Sequence, residues 1–80
     1  MRVKVRISAG FRYYVRSVAD LVEEEEFEVA EGSTLEEFLE RIDWPRKVAT
    51  IPFVNGIRAD GNKRLKEQDQ IYLVPPTSGG

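Results

Sequence analysis

Charged and apolar residues alternate strictly in the segment RVKVRI at positions 2–7. This two-residue period is typical of a strand with one buried face, here formed by Val3, Val5 and Ile7. Ile71 and Leu73 show the same alternation in a second strand, which ends at Pro75. Because both segments have strong apolar faces and no internal proline, we expect them to form the central, parallel pair of a sheet.

A helix is predicted between them. Thr34 and Glu37 have the spacing of a capping box, in which each side chain satisfies a backbone N–H of the first helical turn. The apolar residues that follow recur at helical spacing and predict one buried stripe: Leu35, Phe38, Leu39 and Ile42. Pro45 disfavours helical geometry at the residue before it, so the helix should end near Asp43.

Two hairpins complete the predicted sheet. Asn55-Gly56 favours a tight turn with positive φ at both positions, and Pro52, which cannot donate to a ladder, places this hairpin at a sheet edge. Another strand is expected from Phe27, after an acidic run, Glu23–Glu26, interpreted as a solvated loop.

The connection between the first two strands has no clean period. It is interpreted as a long loop with a short helical turn near Val18–Leu21. Its aromatic residues either anchor a partner or pack beneath the loop, and the sequence does not decide between these for Phe11, Tyr13 and Tyr14.

The order strand, strand, helix and three strands predicts an α+β fold of the ubiquitin-like β-grasp type, a mixed four- to five-stranded sheet with one main helix across one face. We assign residues 1–74 to this domain and residues 75–80 to an extended C-terminal Gly-Gly tail. The predicted core consists of Val3, Val5, Ile7, Phe27, Val29, Leu35, Phe38, Leu39, Ile42, Leu65, Ile71 and Leu73.

Composition argues against several functions. The chain has no cysteine and no histidine, so the usual ligands of transition metals and the usual nucleophiles and proton shuttles are missing, and we expect neither a metal site nor an enzyme. No apolar run approaches the roughly 18–20 residues of a membrane span, and no signal peptide is recognisable, so we expect a cytoplasmic protein.

The net charge of −2 conceals a segregated distribution, with bases concentrated in residues 1–22, acids in 23–43 and bases again in 44–80. A dipolar surface of this kind favours a protein partner over nucleic acid, which needs a net basic field. We therefore interpret Arg2, Lys4 and Arg6 as the solvated face of the first strand, with docking to an acidic partner as the alternative use.

The last six residues, PPTSGG, point to a chemical role. Pro75 and Pro76 end the ladder and direct the chain outward, while Thr77 and Ser78 are small. Gly79 and Gly80 lack a Cβ and can enter a narrow channel. A terminal carboxylate becomes an acyl donor if a partner enzyme lets it attack the α-phosphate of ATP, because sulphur or an amine can then displace AMP.

The stretch FVNGIRADGNKRLKEQDQIYLVPPTSGG, residues 53–80, and the helix entry EGSTLEEFLERI resemble the MoaD/ThiS ubiquitin-like sulphur-carrier family. The resemblance implies that Gly80 is adenylated by an E1-like enzyme of the MoeB/ThiF type and converted to a thiocarboxylate, with Gly79 accompanying it into that active site. It implies no bound cofactor, since the partner uses the ATP. Gln68-Asp69 departs from the family pattern, which has Gly-Asp there.

The double proline resembles MoaD, the small subunit of molybdopterin synthase, more than ThiS, so the large subunit of such a synthase is a second expected partner. Two further functions stay open: a ubiquitin-like modifier conjugated to lysines through Gly80, and a β-grasp interaction module with an incidental tail. For Ile51, Phe53 and Tyr72, the choice lies between an exposed apolar patch used by the activating enzyme and ordinary core, which the sequence slightly favours. The tail residues Pro75 to Ser78 are predicted to bind the partner as well.

Overall fold

The structure is a computed structural model that describes residues 1–8 and 25–76, and within these ranges the chain forms a five-stranded mixed sheet with one helix. The elements, in chain order, are β1 (Arg2–Ile7), β2 (Glu25–Glu28), α1 (Leu35–Arg41), β3 (Ile51–Val54), β4 (Ile57–Arg58) and β5 (Gln70–Val74). The sheet order is β2-β1-β5-β3-β4. This arrangement confirms the predicted ubiquitin-like β-grasp.

The centre of the sheet is the parallel pair of β1 and β5, as the alternating patterns predicted. Val5 lies opposite Ile71 and Ile7 lies opposite Leu73, so the apolar faces of the two strands coincide. β2 pairs antiparallel with the free side of β1, and β3 pairs antiparallel with the free side of β5. The strand nearest the C-terminal tail therefore lies in the middle of the sheet.

The ends of α1 are fixed by local hydrogen bonds. At the start, the Thr34 hydroxyl accepts the Glu37 N–H at 3.2 Å and the Glu37 carboxylate accepts the Thr34 N–H at 2.9 Å, which confirms the capping box. At the other end Asp43 adopts a left-handed φ of 58°, and the Trp44 N–H donates to the Leu39 carbonyl at 2.9 Å. This pattern is a Schellman motif, which reverses the chain close to the predicted end.

The core lies between α1 and one face of the sheet, and its buried apolar residues are Val3, Val5, Ile7, Val29, Leu35, Phe38, Trp44, Val54, Leu65, Ile71 and Leu73. Three predicted core residues are only half-buried against this cluster: Phe27, Leu39 and Ile42. Trp44 and Val54 were missing from the predicted core. Trp44 turns inward because the Schellman motif reverses the chain at Asp43, and its indole N–H donates to the Thr50 hydroxyl at 2.9 Å.

The second hairpin has the predicted turn, with φ values of 53° at Asn55 and 82° at Gly56. The hairpin lies at a sheet edge, but the edge strand is β4. Pro52 belongs to the inner strand β3, where it lies opposite Leu73, and its carbonyl accepts the Ala59 N–H at 3.0 Å just beyond β4. An inner strand tolerates this proline because β4 pairs only with Phe53 and Val54.

The expectation of a solvated loop at Glu23–Glu26 is wrong for its second half. β2 starts at Glu25, and Glu25 and Glu26 lie opposite Val5 and Lys4. The predicted long loop, its helical turn and its aromatic cluster lie outside the described residues. In the described ranges, α1 is seven residues long and no helix is long and apolar enough to cross a membrane.

Candidate functional site

The predicted tail begins where β5 leaves the sheet. The Leu73 carbonyl accepts the Ser8 N–H at 2.9 Å, and Val74 lies opposite Ile51 on β3. Pro75 is half-buried against the domain and Pro76 is exposed. Thr77, Ser78, Gly79 and Gly80 lie outside the described residues, so their predicted roles stay predictions.

The face of the sheet opposite α1 is covered by no element in the described ranges, and we call it the open face. Because side chains alternate along a strand and residues opposite each other share a face, the register identifies its members. They are Arg2, Lys4, Arg6, Glu26, Glu28, Ile51, Phe53, Arg58, Gln70, Tyr72 and Val74. The open face is therefore basic over β1, acidic at the β2 edge, and apolar over β3 and β5.

The structure brings together the three residues for which the sequence left two interpretations. Phe53 lies opposite Tyr72, and Ile51 follows on the same side of β3, opposite Val74. Ile51 and Phe53 are half-buried and Tyr72 is 37% exposed. None of the three belongs to the core beneath α1. They form an apolar patch beside the start of the tail, and its role in binding stays a prediction.

Two arginines flank this patch in a single row across four strands. Arg6 lies opposite Tyr72, Tyr72 opposite Phe53, and Phe53 opposite Arg58. The Arg6 guanidinium carbon lies 5.3 Å from the centre of the Tyr72 ring, which is a cation–π contact. The row therefore reads cation, aromatic, aromatic, cation.

A polar network around the buried Asp69 carboxylate lies beside the β3–β4 turn, and sequence reasoning missed it. Asp69 is 6% exposed, and its carboxylate accepts the Asn55 side-chain N–H at 2.9 Å and the Lys66 backbone N–H at 2.7 Å. The side-chain amide oxygen of Asn55 in turn accepts the Gln70 backbone N–H at 2.9 Å. The β3–β4 turn is thereby tied to the start of β5. The available signal was an Asn-Gly turn combined with an aspartate just before the last strand.

The described residues provide a sheet face on which another molecule can bind. Within residues 1–8 and 25–76, no group of three or more carboxylates is arranged to hold a metal ion. The Asp69 carboxylate is occupied by its two hydrogen bonds within the fold. The arrangement places the open face beside Pro75 and Pro76, which follow the end of β5.

Comparison with known families gives a match to the model of the ThiS family over residues 13–80. A comparison with curated proteins gave no significant match. Among solved structures, a putative molybdopterin converting factor, subunit 1, from Pyrococcus furiosus superposes with a TM-score of 0.78 at 27% identity, covering 96% of this chain and 99% of that one.

Two more distant structures share the fold. Small archaeal modifier protein 1 of Haloferax volcanii gives a TM-score of 0.74 at 16% identity, over 95% of this chain and 98% of that one. A chain from the complex of subunits 1 and 2 of the molybdopterin-converting factor from Helicobacter pylori gives 0.67 at 22% identity, over 100% of both chains. At these identities the likeness is one of fold.

Proposed function

The chain belongs to the ThiS family, and on that basis we propose that it is a sulphur carrier whose Gly80 is adenylated and then converted to a thiocarboxylate. The observation that carries the proposal is the extent of the family match, which runs to Gly80 and so includes the tail. The geometry at Pro75 and Pro76 supports it, since β5 ends there and the chain leaves the sheet.

The proposed chemistry takes place at the Gly80 carboxylate and uses a partner's active site. A carboxylate oxygen attacks the α-phosphate of ATP, and pyrophosphate leaves to give an acyl-adenylate. Hydrosulphide then attacks the acyl carbon, and AMP leaves with the carboxylate oxygen. If a persulphide attacks instead, the first product is an acyl disulphide, and a thiol then cleaves its S–S bond, leaving the thiocarboxylate and a mixed disulphide. The product is a thiocarboxylate, which later donates its sulphur. This chain supplies the reacting carboxylate, and the E1-like enzyme supplies ATP and catalysis.

The sulphur acceptor that we propose is a molybdopterin precursor or a related thio-cofactor or tRNA. The similar structure from Pyrococcus furiosus is described as a putative molybdopterin converting factor, subunit 1, which favours the first of these. The Helicobacter pylori protein is described as a complex of two such subunits. A larger synthase subunit is therefore our second proposed partner, after the E1-like enzyme.

The test is ATP–pyrophosphate exchange with the purified E1-like enzyme from the same organism. We expect exchange with the native chain and none with a chain that lacks Gly80 or carries one alanine added after Gly80. Both changes move the carboxylate and leave the domain intact, so melting should not change. Lys63→Ala, at an exposed residue beside the start of α1, should retain exchange. Undiminished exchange in both tail variants would contradict the proposal.

A second candidate is a ubiquitin-like modifier, which uses the same acyl-adenylate and transfers it to a lysine amine. It is kept because the fold is shared with small archaeal modifier protein 1. Intact-mass analysis of the protein from its own cells separates the two. An oxygen-for-sulphur exchange at the tail supports the carrier, and lysines bearing the tryptic remnant from Glu67 to Gly80 support the modifier. If neither product is found, the result favours an interaction module with an incidental tail.

A further inference from the structure

We propose that the open face binds a protein surface that presents carboxylates on both sides of an apolar centre, and that Arg6 and Arg58 determine this specificity. The proposal deepens the proposed function and rests on it, because the occupant is the E1-like enzyme that activates the tail. It adds the chemistry by which that enzyme is recognised.

The first support is the geometry of the row from Arg6 to Arg58. Neighbouring strands lie about 4.8 Å apart, so three strand spacings place the Cα atoms of Arg6 and Arg58 roughly 14 Å apart. Tyr72 and Phe53 fill the interval. A complementary surface therefore needs an apolar side chain over the rings and an acidic group near each end of the row.

The second support is the charge around the two arginines. Within the described residues, the only ion pairs join Arg2 to Glu28 at 3.6 Å and Arg46 to Glu40 at 2.7 Å. The open-face carboxylates of these ranges, Glu26 and Glu28, lie opposite Lys4 and Arg2 on β1, and no ion pair joins either of them to Arg6. Arg58 lies at the opposite edge of the sheet. The charges of Arg6 and Arg58 are thus left for a partner to complement.

The third support is the preorganisation of Arg6. Its guanidinium lies against the Tyr72 ring, and a stacked guanidinium still offers N–H donors at its edge to a carboxylate. A groove of about 350 Å³ lies beside this guanidinium and is large enough for an acidic side chain. It is lined in large part by Lys4, Arg6, Gln70 and Tyr72. Because the Arg6 side chain is already held against the ring, it loses less conformational entropy when a partner binds.

The same features disfavour nucleic acid as the occupant. Stacking of bases needs free aromatic ring faces, but Arg6 covers one face of Tyr72, and Phe53 is half-buried. Glu26 and Glu28 lie on the open face as well, and the chain has a net charge of −2. A phosphate backbone would meet repulsion there, whereas a discrete pair of carboxylates would not.

The tail identifies which protein occupies the face. The six residues from Pro75 to Gly80 reach at most about 20 Å when extended. An enzyme that holds Gly80 in its active site is therefore within that distance of Val74, which borders the apolar patch. The surface around the active-site entrance of the enzyme and the open face are then brought together by the length of the tail.

The experiment separates docking from tail chemistry by using a chain that ends at Ser78. Its affinity for the purified E1-like enzyme is measured by calorimetry at low and high salt. The affinity of this shortened chain is compared with that of the same chain carrying Arg6→Glu/Arg58→Glu. The matched control carries Lys47→Glu/Lys63→Glu, which changes the net charge by the same amount at exposed residues outside the sheet. Circular dichroism verifies folding, and Arg6→Gln/Arg58→Gln serves as a milder variant.

We expect the open-face pair of changes to weaken binding about tenfold or more and to reduce its salt dependence, and the control pair to change binding less than about twofold. Equal losses in both pairs, no loss in the open-face pair, or no binding of the shortened chain would overturn the inference. The inference would also be overturned if, in place of binding the enzyme, the chain formed a dimer in sedimentation that depends on Arg6 and Arg58. Binding to single-stranded RNA that depends on these two arginines, in place of enzyme binding, would overturn it as well. ATP–pyrophosphate exchange by the full chain distinguishes failure of this inference from failure of the proposed function. If only this inference fails, exchange still occurs and still requires Gly80. If the proposed function fails, exchange does not require Gly80.

Discussion

Gln68 is held in a backbone conformation that suits glycine. Its φ is 70°, and its N–H donates to the Arg2 carbonyl at 2.7 Å, so the turn before β5 cannot relax without losing contact with β1. A Cβ in the left-handed region costs roughly 1–2 kcal/mol. The departure from the family's Gly-Asp pattern therefore retains the turn and carries a conformational penalty.

We predict that Gln68→Gly raises the free energy of unfolding by about 0.5–1 kcal/mol, because relief of the left-handed strain exceeds the added entropy of the unfolded chain. Denaturant unfolding measures the change. Gln68→Ala is the matched control, since it removes the exposed amide but retains the Cβ, and it should show no such gain. Equal effects of both changes would mean that the side-chain amide, and not the backbone, decides stability here.

At the scale of elements, α1 depends on its capping box because seven residues are too few to form a stable helix alone. The backbone N–H of Thr34 and then its hydroxyl donate to the Glu37 carboxylate and hold its pKa below the ordinary value of 4.5. The folded state thus keeps this carboxylate ionised at a pH at which the unfolded chain protonates it. Its contribution to stability is complete above that ordinary value and is lost as pH falls through the lowered pKa.

We predict that Glu37→Gln reduces the loss of stability between about pH 5 and pH 3, since the amide oxygen can still accept the Thr34 N–H but no longer titrates. Urea unfolding across this range measures it. Glu36→Gln, on the same first turn, leaves the capping box intact and should retain the native acid sensitivity. If both variants follow the native profile, the capping carboxylate does not contribute to acid unfolding.

At the scale of the whole molecule, β5 joins the two ends of the described chain. It pairs with β1 on one side and β3 on the other, and Ile71 and Leu73 are 1% and 0% exposed. Burial of each contributes about 1.5–3 kcal/mol, against roughly 5–15 kcal/mol for the stability of a whole domain. Loss of β5 also leaves unpaired those backbone groups of β1 and β3 that bond to it.

We predict that a chain ending at Pro76 unfolds cooperatively near the native melting temperature, whereas a chain ending at Asp69 does not fold. Circular dichroism and amide hydrogen exchange distinguish the two. The contrast follows from position, because residues 70–74 form the middle of the sheet and Pro76 is exposed. A folded chain without β5 would contradict the topology, and an unfolded chain ending at Pro76 would show that the tail packs on the domain.

The sequence predicted those parts of the fold that depend on local periodicity. Alternation in residues 2–7 and at Ile71 and Leu73 identified the central strands, and the capping box identified the start of α1. The start of β2 was misplaced because an edge strand is defined by backbone pairing with β1, and Glu25 and Glu26 have no apolar pattern to indicate it.

The candidate site was predictable in composition and not in arrangement. Ile51, Phe53 and Tyr72 were recognisable as apolar residues on strands, but their placement away from α1 depends on the register between β3 and β5. The row from Arg6 to Arg58 joins residues far apart in the chain, through the crossover from β1 to β5. Trp44 was missed because the reversal at Asp43 follows no period.

The position of β5 has a consequence for biosynthesis. A ribosome makes β1 first and β5 last among the described strands, yet these two must lie side by side. Until residue 74 has left the exit tunnel, the nascent polypeptide cannot shield Val3, Val5 and Ile7 from water. A prematurely terminated product therefore displays an apolar strand that proteases and chaperones recognise.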